Sequence, residues 1–267
     1  MLAHVLPLLA CPNCANPLEQ GDSVLRCAGG HSFDIAKQGV VTLVRGKPAA
    51  GDTAEMVAAR AAFLDAGHYA PIADALASLA GPGPVLDAGA GTGHYLAHLL
   101  ECVDGVGLAL DSSKPALRKA AKAHPAIGAV ACDLWQPLPV RTGVAGVVLN
   151  VFAPRVPAEL RRVLREDGVL LLVAPAADHL GELVSTLDLM AVEEGKQDKV
   201  DARMAEHFTV AKRLPVAFPM RLDHDAVRAL VGMGPNAFHG DRSARVAGLP
   251  ARVSVTASVT VTAYRPR

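Results

Sequence analysis

The apolar positions of the chain alternate between two patterns over most of its length. Short continuous apolar runs, typical of strands buried on both faces, are separated by segments with apolar residues at helical spacing. The predicted strands span residues 85–88, 103–110, 127–131, 145–151, 168–174, 208–218 and 253–264. The predicted helices span residues 54–64, 71–79, 95–100, 113–124, 156–165, 179–192 and 222–233. This order predicts an α/β fold with a doubly wound, Rossmann-like parallel sheet.

Two segments near the carboxyl end fit this pattern less well. Pro215 interrupts the run over 208–218. Because proline has no N–H to donate, we predict an edge strand there that breaks at the proline. Residues 234–250 are rich in glycine, proline and polar side chains, and they are predicted to form a long loop.

A cysteine and histidine cluster sets the amino-terminal residues apart. Its spacing is C-x2-C, twelve residues, then C-x3-H, and its members are Cys11, Cys14, Cys27 and His31. Four thiolate or imidazole ligands on two tight turns are the donor set of a structural zinc site. A disulfide is less favoured in a reducing compartment, and a redox C-x-x-C motif lacks its βαβ context here. We therefore predict a zinc-binding module over residues 1–46, with a hairpin at 16–26 and a last strand at 39–44.

A glycine-rich turn follows the first strand of the predicted sheet, where residues 85–93 read VLDAGAGTG. Gly89, Gly91 and Gly93 lack the Cβ atoms that would hold a ligand off the backbone, and the N–H groups of the next helix point into the same space. The spacing is one residue shorter than the G-x-G-x-x-G loop of dinucleotide-binding proteins. Asp87 would repel a pyrophosphate but attract the ammonium and sulfonium groups of S-adenosylmethionine (SAM). The turn therefore predicts SAM, with a dinucleotide or no ligand as the alternatives.

Further cofactor candidates follow the next two strands, because ligands of open α/β sheets lie beyond the carboxyl ends of the strands. Asp111 comes twenty residues after Gly91 and can accept hydrogen bonds from both ribose hydroxyls. Asp133 is placed for the adenine amino group, with Leu134 or Trp135 beside the ring. Ordinary loop packing is the alternative for Trp135.

Candidates for the chemistry of the substrate follow the two strands after that. Asn150 lies at the end of the strand over 145–151, and Asp178 and His179 follow the strand over 168–174. Their position alone makes them candidates for holding or accepting a proton from the substrate. The sequence does not single out one of them.

Charge and hydropathy restrict the class of partner. The chain of 267 residues has 26 basic and 26 acidic side chains, so its net charge gives no general sign of a nucleic-acid partner. Basic residues concentrate at 201–267, where ten Lys or Arg stand against five acids. No apolar run approaches the length of a membrane span, and the apolar start lacks the basic residues of a secretory signal. We expect a cytoplasmic protein with no membrane partner.

A set of motifs spread along the chain gives a more specific indication. They are CPNC with CAGGHSFDIAKQGVVTLV, GDTAEM, RAAFLDAGHY, VLDAGAGTGHY, GLALDSSKPAL, LNVFAPR, APAADHL and FPMRLDHDAV. Together they resemble the 23S rRNA (guanine-N1)-methyltransferases, zinc-containing SAM-dependent enzymes. The segments around Trp135 and Phe152 are more similar to the branch linked to tylosin-type macrolide resistance.

The resemblance implies roles for particular residues and for parts of the chain. It implies that the four cysteine and histidine side chains bind zinc, and that Tyr69, Gly91, Thr92 and His179 contact SAM. It also implies a homodimer that methylates N1 of one guanine in a hairpin loop of domain II of 23S rRNA. The corresponding division is a zinc-binding, RNA-recognising module over 1–46, a linker with helices over 47–80, and the methyltransferase domain over 81–267.

The reaction implied by this resemblance places a demand on the RNA. Guanine N1 carries a proton on the Watson–Crick edge, so the base must be unpaired or flipped before N1 can reach the methyl group. We expect an in-line transfer promoted mainly by positioning. The alternatives are a SAM-dependent methyltransferase of a small metabolite and a non-catalytic RNA-binding zinc protein.

Overall fold

The chain forms one small and one large sheet, and a computed structural model describes residues 2–46, 50–234, 237 and 242–267. The strands are β1 (Leu18–Gln20), β2 (Val24–Cys27), β3 (Ser32–Asp34), β4 (Val40–Thr42), β5 (Val85–Ala88), β6 (Gly107–Asp111), β7 (Ile127–Ala131), β8 (Ala145–Val151), β9 (Leu164–Pro175), β10 (Phe208–Leu222) and β11 (Val253–Pro266). The helices are α1 (Leu2–Val5), α2 (Ala54–Asp65), α3 (Ala70–Leu79), α4 (His94–Cys102), α5 (Lys114–Ala123), α6 (Pro157–Val163), α7 (Gly181–Leu187), α8 (Lys196–Met204), α9 (His224–Gly232) and α10 (Ser243–Ala247).

The large sheet has the order β10-β11-β9-β8-β5-β6-β7-β4. Six of its strands, from β9 to β4 in this order, are parallel, and β11 runs antiparallel to both β9 and β10. The order of the strands reverses between β5 and β8, which is the point where open α/β sheets bind ligands. The predicted α/β, doubly wound sheet is confirmed.

Apolar side chains cover both faces of this sheet. Val85 of β5 joins one buried cluster with residues of α3, α4, α5, α7 and α9, whereas the adjacent Leu86 joins a second cluster with α1, α6 and α8. A strand with both faces buried needs apolar residues at consecutive positions, and this explains the continuous runs in the sequence.

The strand predicted over 39–44 as the last strand of the zinc module exists as β4, and it also joins the large sheet. It pairs in parallel with β7 at the edge of the large sheet, with Val41 opposite Val130. Val40 packs in one apolar cluster and Val41 in the other. Two consecutive valines buried on opposite faces suit a large covered sheet better than a small ribbon. The boundary at residue 46 stays a prediction.

The prediction of one long helix over 179–192 is wrong. The structure has only α7 there, between two residues in the left-handed region, Leu180 with φ 58° and Asp188 with φ 54°. Leu189 then turns inward and is buried. A separate helix, α8, follows at Lys196–Met204 and was not predicted.

Smaller differences concern the ends of other elements. The strand predicted from residue 103 begins at Gly107, because the Val103 N–H instead closes α4 on the carbonyl of Leu99. Pro215 does not break its strand, since β10 continues for 15 residues. The predicted edge position is confirmed, and at an edge a missing N–H is tolerated. The loop predicted over 234–250 contains α10, and its residues 235–236 and 238–241 lie outside the described residues.

Candidate active site and zinc site

The four predicted zinc ligands lie together at the tip of the small sheet. Their Sγ and Nδ1 atoms are all within 4.8 Å of one another. The Sγ atom of Cys27 is 3.4 Å from Nδ1 of His31, and the Sγ atoms of Cys14 and Cys27 are 3.6 Å apart. Bonds of about 2.0–2.3 Å from a central Zn²⁺ produce ligand separations of this size at tetrahedral angles. With three thiols and one imidazole filling all four positions, the donor set fits a structural zinc ion.

Backbone turns and one arginine hold this cluster in place. Gly29 lies against the thiol of Cys14. A Cβ atom at position 29 would stand 3.2 Å from the Sγ atom of Cys14, so a larger residue there would crowd the thiol. Arg45 donates to the carbonyl oxygens of Pro12 and Asn13 in the first turn. Since Arg45 lies in the segment that leaves β4, it ties the zinc turn to the large sheet.

A cavity of about 820 Å³ lies over the carboxyl ends of the parallel strands. It covers the reversal point between β5 and β8. The predicted residues that line it are Tyr69, Gly89, Gly91, Thr92, Asp111, Asp133, Leu134 and His179. A cavity of this size fits a nucleoside-sized ligand. Asp87, Gly93, Asn150 and Asp178 are described residues that lie outside its wall.

The glycine turn adopts backbone angles that few other residues reach. Gly89 has φ 99° and its Cβ would stand 2.3 Å from the Cβ of Ala153, while Gly93 has φ 78° and its Cβ would stand 2.9 Å from the Cα of Ala120. These two glycines therefore make room for neighbouring protein segments, and Gly89 also lines the cavity. Gly91, beside the guanidinium of Arg60, faces the cavity.

Asp111 organises the turn from the neighbouring strand. Its two carboxylate oxygens accept hydrogen bonds from the N–H groups of Gly91 and Ser113, each at 2.8 Å. Burial raises the pKa of the Asp111 carboxyl, although these two hydrogen bonds oppose the rise. Each oxygen keeps a lone pair, and the side chain remains at the cavity wall, where it can accept from a hydroxyl.

Asp87 lies beneath the turn. It is only 1% exposed, and its Oδ1 atom has no hydrogen-bond partner among the described residues. Burial, with a smaller contribution from the charge of Asp111, raises the pKa of this carboxyl to about 8. A buried carboxyl with a raised pKa and an unpaired oxygen fits a site that receives a cation.

The residues predicted around an adenine ring follow β7. Asp133 accepts a hydrogen bond from the N–H of Trp135 at 2.9 Å and another from the amide of Gln136 at 3.2 Å, and these bonds fix its carboxylate. Leu134 and Trp135 also line the cavity. Trp135 is 66% exposed, so packing against the loop does not explain its place in the structure.

Asn150 is completely buried. Its amide nitrogen donates to the carbonyl of Ala88 at 3.0 Å and to the carbonyl of Pro154 at 2.9 Å. The side chain thus joins the start of the glycine turn to the loop after β8. Both donors are used within the protein, so its position fits a role in holding the two loops. Asp178, by contrast, is exposed.

A backbone N–H group of β11 fixes the orientation of His179. Its Nδ1 atom is 3.1 Å from the N–H of Ser258, and its Nε2 atom is 3.4 Å from the hydroxyl of Tyr69. Because a backbone N–H can only donate, Nδ1 is the acceptor, and the neutral ring carries its proton on Nε2. Burial lowers the pKa of His179 and favours this neutral form.

Many residues of the cavity wall were not among the predicted site residues, and Arg60, Phe152 and Arg155 are three of them. Arg60 pairs with Asp52 and donates to the carbonyl of Met233 at 2.6 Å. Arg155 has one guanidinium nitrogen that is buried with no partner among the described residues, and burial lowers its pKa. All three stand within motifs quoted above, RAAFLDAGHY and LNVFAPR, but only the fold brings those motifs to one cavity.

Comparison with known proteins agrees with this architecture. The family model for the amino-terminal zinc ribbon of RlmA matches residues 9–46. The chain is 48% identical over 279 residues to the 23S rRNA (guanine(748)-N(1))-methyltransferase of Streptomyces fradiae, covering 100% of this chain and 99% of that one. The chain belongs to the family of 23S rRNA (guanine-N1)-methyltransferases. It is a SAM-dependent methyltransferase with a structural zinc site.

Other members and solved structures extend the comparison. A protein of Bacillus subtilis named as a 23S rRNA (guanine-N1-)-methyltransferase is 26% identical, covering 86% of this chain and 87% of its own. A chain from the complex of Haloferax volcanii Trm112 with a methyltransferase superposes with a TM-score of 0.54 at 18% identity, covering 80% of this chain and 98% of that one. The [4+2]-cyclase SpnF reaches 0.51 at 13% identity, covering 73% and 80%. Since a cyclase shares the fold, the function of this methyltransferase rests on its family and its site.

No helix within the described ranges has both the length and the apolar character that a membrane crossing requires.

Proposed function

We propose that this methyltransferase transfers the methyl group of SAM to N1 of a guanine in the domain II hairpin loop of 23S rRNA. The observation that carries the proposal is the 48% identity, over the full length of the chain, to a relative named for guanine-N1 methylation of 23S rRNA. The cavity at the reversal point of the sheet provides the site for the reaction. We further propose a cytoplasmic homodimer whose residues 1–46 recognise RNA, with residues 47–80 linking them to the catalytic domain at 81–267. Self-resistance to a tylosin-type macrolide is the biological role that we propose for the reaction.

The cavity offers each part of SAM a chemically suitable neighbour. Asp111 accepts from the ribose hydroxyls, and Asp133 accepts from the adenine amino group beside Leu134. Asp87 below the turn faces the positive charge, and Arg60 beside Gly91 suits the carboxylate. Tyr69, Thr92 and His179 complete the wall, and Gly89 and Gly93 shape the turn.

The residues of this chain then have to position guanine N1 and exclude water. When bound, SAM supplies an electrophilic methyl group. The N1 proton leaves, the N1 lone pair forms the new bond to carbon, and the carbon–sulfur bond breaks. His179 is a poor proton acceptor, because its Nδ1 is held by Ser258 and its Nε2 is already protonated. Asn150 holds the two loops that frame the reaction, and Asp178, which is exposed, stays a candidate for receiving the proton through water.

Positive charge near the cavity supports an RNA substrate. Arg155 lines the wall with one guanidinium nitrogen that has no partner among the described residues, and Lys196 lines the same wall. An unpaired cation is costly to bury unless a ligand supplies its partner, and phosphate contacts supply much of RNA affinity.

The proposal is tested by incubating the purified protein with radiolabelled SAM and a transcript of 23S domain II that lacks modifications. We expect label on the RNA and a primer-extension stop at one guanine of the hairpin loop, absent when that guanine is replaced by adenine. Transfer to a small molecule with no stop in the RNA would favour a metabolite methyltransferase. Zinc-dependent RNA binding without SAM binding by calorimetry would favour a non-catalytic protein.

A further inference from the structure

Phe152 has an unusual backbone and an unusual exposure for a large apolar residue. Its φ is 51°, in the left-handed region that favours glycine, asparagine and aspartate and that is a rare outlier for a bulky side chain. Its side chain is 42% exposed, at the wall of the cavity. Exposure gains nothing for an apolar ring, and the backbone angle costs stability. Both costs fall at one residue directly after β8, and such strain clusters at functional sites.

Neighbouring contacts keep Phe152 in this conformation. Asn150 donates to the carbonyls of Ala88 and Pro154 and so fixes the loop on both sides. The Phe152 N–H donates to the carbonyl of Val173 at 3.3 Å. Ala153 packs into the space left by the absent Cβ of Gly89. The loop is therefore held from β5, β8 and β9 together, and this backbone carries the Phe152 side chain at the cavity wall.

Phe152 is one corner of a triangle of rings. Its centroid is 6.3 Å from the ring of Tyr69 and 6.1 Å from the ring of His179, and those two rings are 6.3 Å apart. Tyr69 is buried and His179 is fixed by Ser258. Phe152 is thus the exposed ring of a rigid aromatic group that opens into the cavity.

We propose that Phe152 is the stacking platform for the flipped target base, which lies on its exposed face with N1 turned toward the glycine turn. This inference rests on the proposed function and assigns the residue that positions the base. A purine bound by a protein gains much of its affinity from stacking on an aromatic ring. The loop after β8 lies opposite the turn after β5, across the reversal point. A base on that loop therefore faces the proposed site of the methyl donor.

The test compares three variants on the same domain II transcript. F152L keeps an apolar side chain of similar size but no π-face, F152Y keeps the π-face, and F152G relieves the backbone strain. We expect F152L and F152G to reduce kcat/KM for RNA about 10- to 100-fold, the range that loss of one stacked base predicts. F152Y is expected to stay within threefold of the unchanged protein.

Two further measurements separate positioning from folding and from cofactor binding. F152G should still unfold in one cooperative transition, because the φ of this position suits glycine and its relief offsets part of the lost ring contacts. All three variants should bind SAM with affinities within threefold of the original, by calorimetry. A fluorescent guanine analogue at the target position should be quenched by the unchanged protein and by F152Y, but not by F152L.

The outcomes distinguish this inference from the proposed function. If the unchanged protein methylates the transcript and F152L does so equally well, the stacking role is wrong and the proposed function stands. If the variants lose SAM affinity in proportion to their activity, Phe152 belongs to the cofactor site and the inference is overturned. If the unchanged protein does not methylate the transcript, the proposed function itself fails. F218L, on β10 and outside the cavity wall, is the matched control and should leave the quenching in place.

Discussion

The Ser258 N–H group donates to Nδ1 of His179 at 3.1 Å, and this single contact decides what the histidine can do. It fixes the tautomer with the proton on Nε2, which faces the hydroxyl of Tyr69. A ring so held can donate a hydrogen bond toward the cavity but has no free nitrogen to accept a proton there. His179 therefore contributes to binding and orientation rather than to proton removal.

Replacing His179 should consequently lower the methylation rate without changing its dependence on pH. We expect H179Q to reduce the single-turnover rate about tenfold, the effect of one lost contact to a charged ligand. The logarithm of the rate should rise with pH between 6 and 9 in parallel for both proteins. Burial lowers the pKa of His179 and favours the neutral ring. If the slope disappears in H179Q but persists in the matched variant Y69F, His179 is the proton acceptor after all.

Asp87 should release its proton when SAM binds. In the unliganded protein, burial raises the pKa of Asp87 to about 8, so the group is largely protonated at pH 7. A bound cation nearby would lower that pKa again. We expect calorimetry at pH 7 in buffers of different ionisation enthalpy to show release of nearly one proton per SAM. D87N should show none, and equal enthalpies in all buffers for the unchanged protein would place Asp87 outside the cofactor site.

The raised pKa of Asp87 also predicts how the stability of the unliganded protein changes with pH. The folded protein binds the proton of Asp87 up to about pH 8, whereas an unfolded chain releases it near pH 4. Between these values the folded state holds more protons, so this group makes the unliganded protein less stable as pH rises. D87N should flatten the decrease in denaturation midpoint between pH 5 and 8.

The sheet and the zinc ligands could be predicted from the sequence because their signals are local. β7 and β8 are continuous apolar runs, and their predicted bounds agree with the structure. The spacing of Cys11, Cys14, Cys27 and His31 reports a ligand set directly, and those side chains meet in space. The glycine turn is also found, although the need of Gly89 and Gly93 to accommodate Ala153 and Ala120 is seen only in the fold.

The features that the sequence could not reveal depend on distant contacts. Whether Val40 and Val41 belong to the small or the large sheet depends on β7, nearly ninety residues later. The end of the helix at Asp188 depends on a left-handed residue that is not glycine, for which the sequence has no marker. The exposure of Phe152 is likewise set by Asn150 and Gly89, which hold its loop from other strands.

Loss of zinc should unfold the ribbon while the large sheet persists. We expect C14S to lose the one zinc ion per chain that the unchanged protein holds, measured by plasma mass spectrometry. Hydrogen exchange should accelerate over residues 11–35 but not in β5 or β8, because one face of those strands packs in an apolar cluster that contains none of residues 11–35. SAM affinity should be retained and RNA methylation lost. C102S, at an exposed cysteine of α4, should behave like the unchanged protein. Zinc retained in C14S would contradict the four-ligand site.

Asn150 should prove to be a positioning residue. Its amide donates to the carbonyls of Ala88 and Pro154, so N150A removes one hydrogen bond from each of these two loops and leaves a cavity at a completely buried position. We expect a loss of about 2–4 kcal/mol in the free energy of unfolding by urea denaturation. N150D should lose more, because a buried carboxylate has no N–H to offer and would face two carbonyl oxygens. The exposed helix variant T186A should change stability by less than about 0.5 kcal/mol. If N150D instead folded normally and methylated RNA faster at high pH, a carboxylate at position 150 would be acting as a base. Position 150 would then lie within reach of the substrate proton, and the assignment of Asn150 as a positioning residue alone would be contradicted.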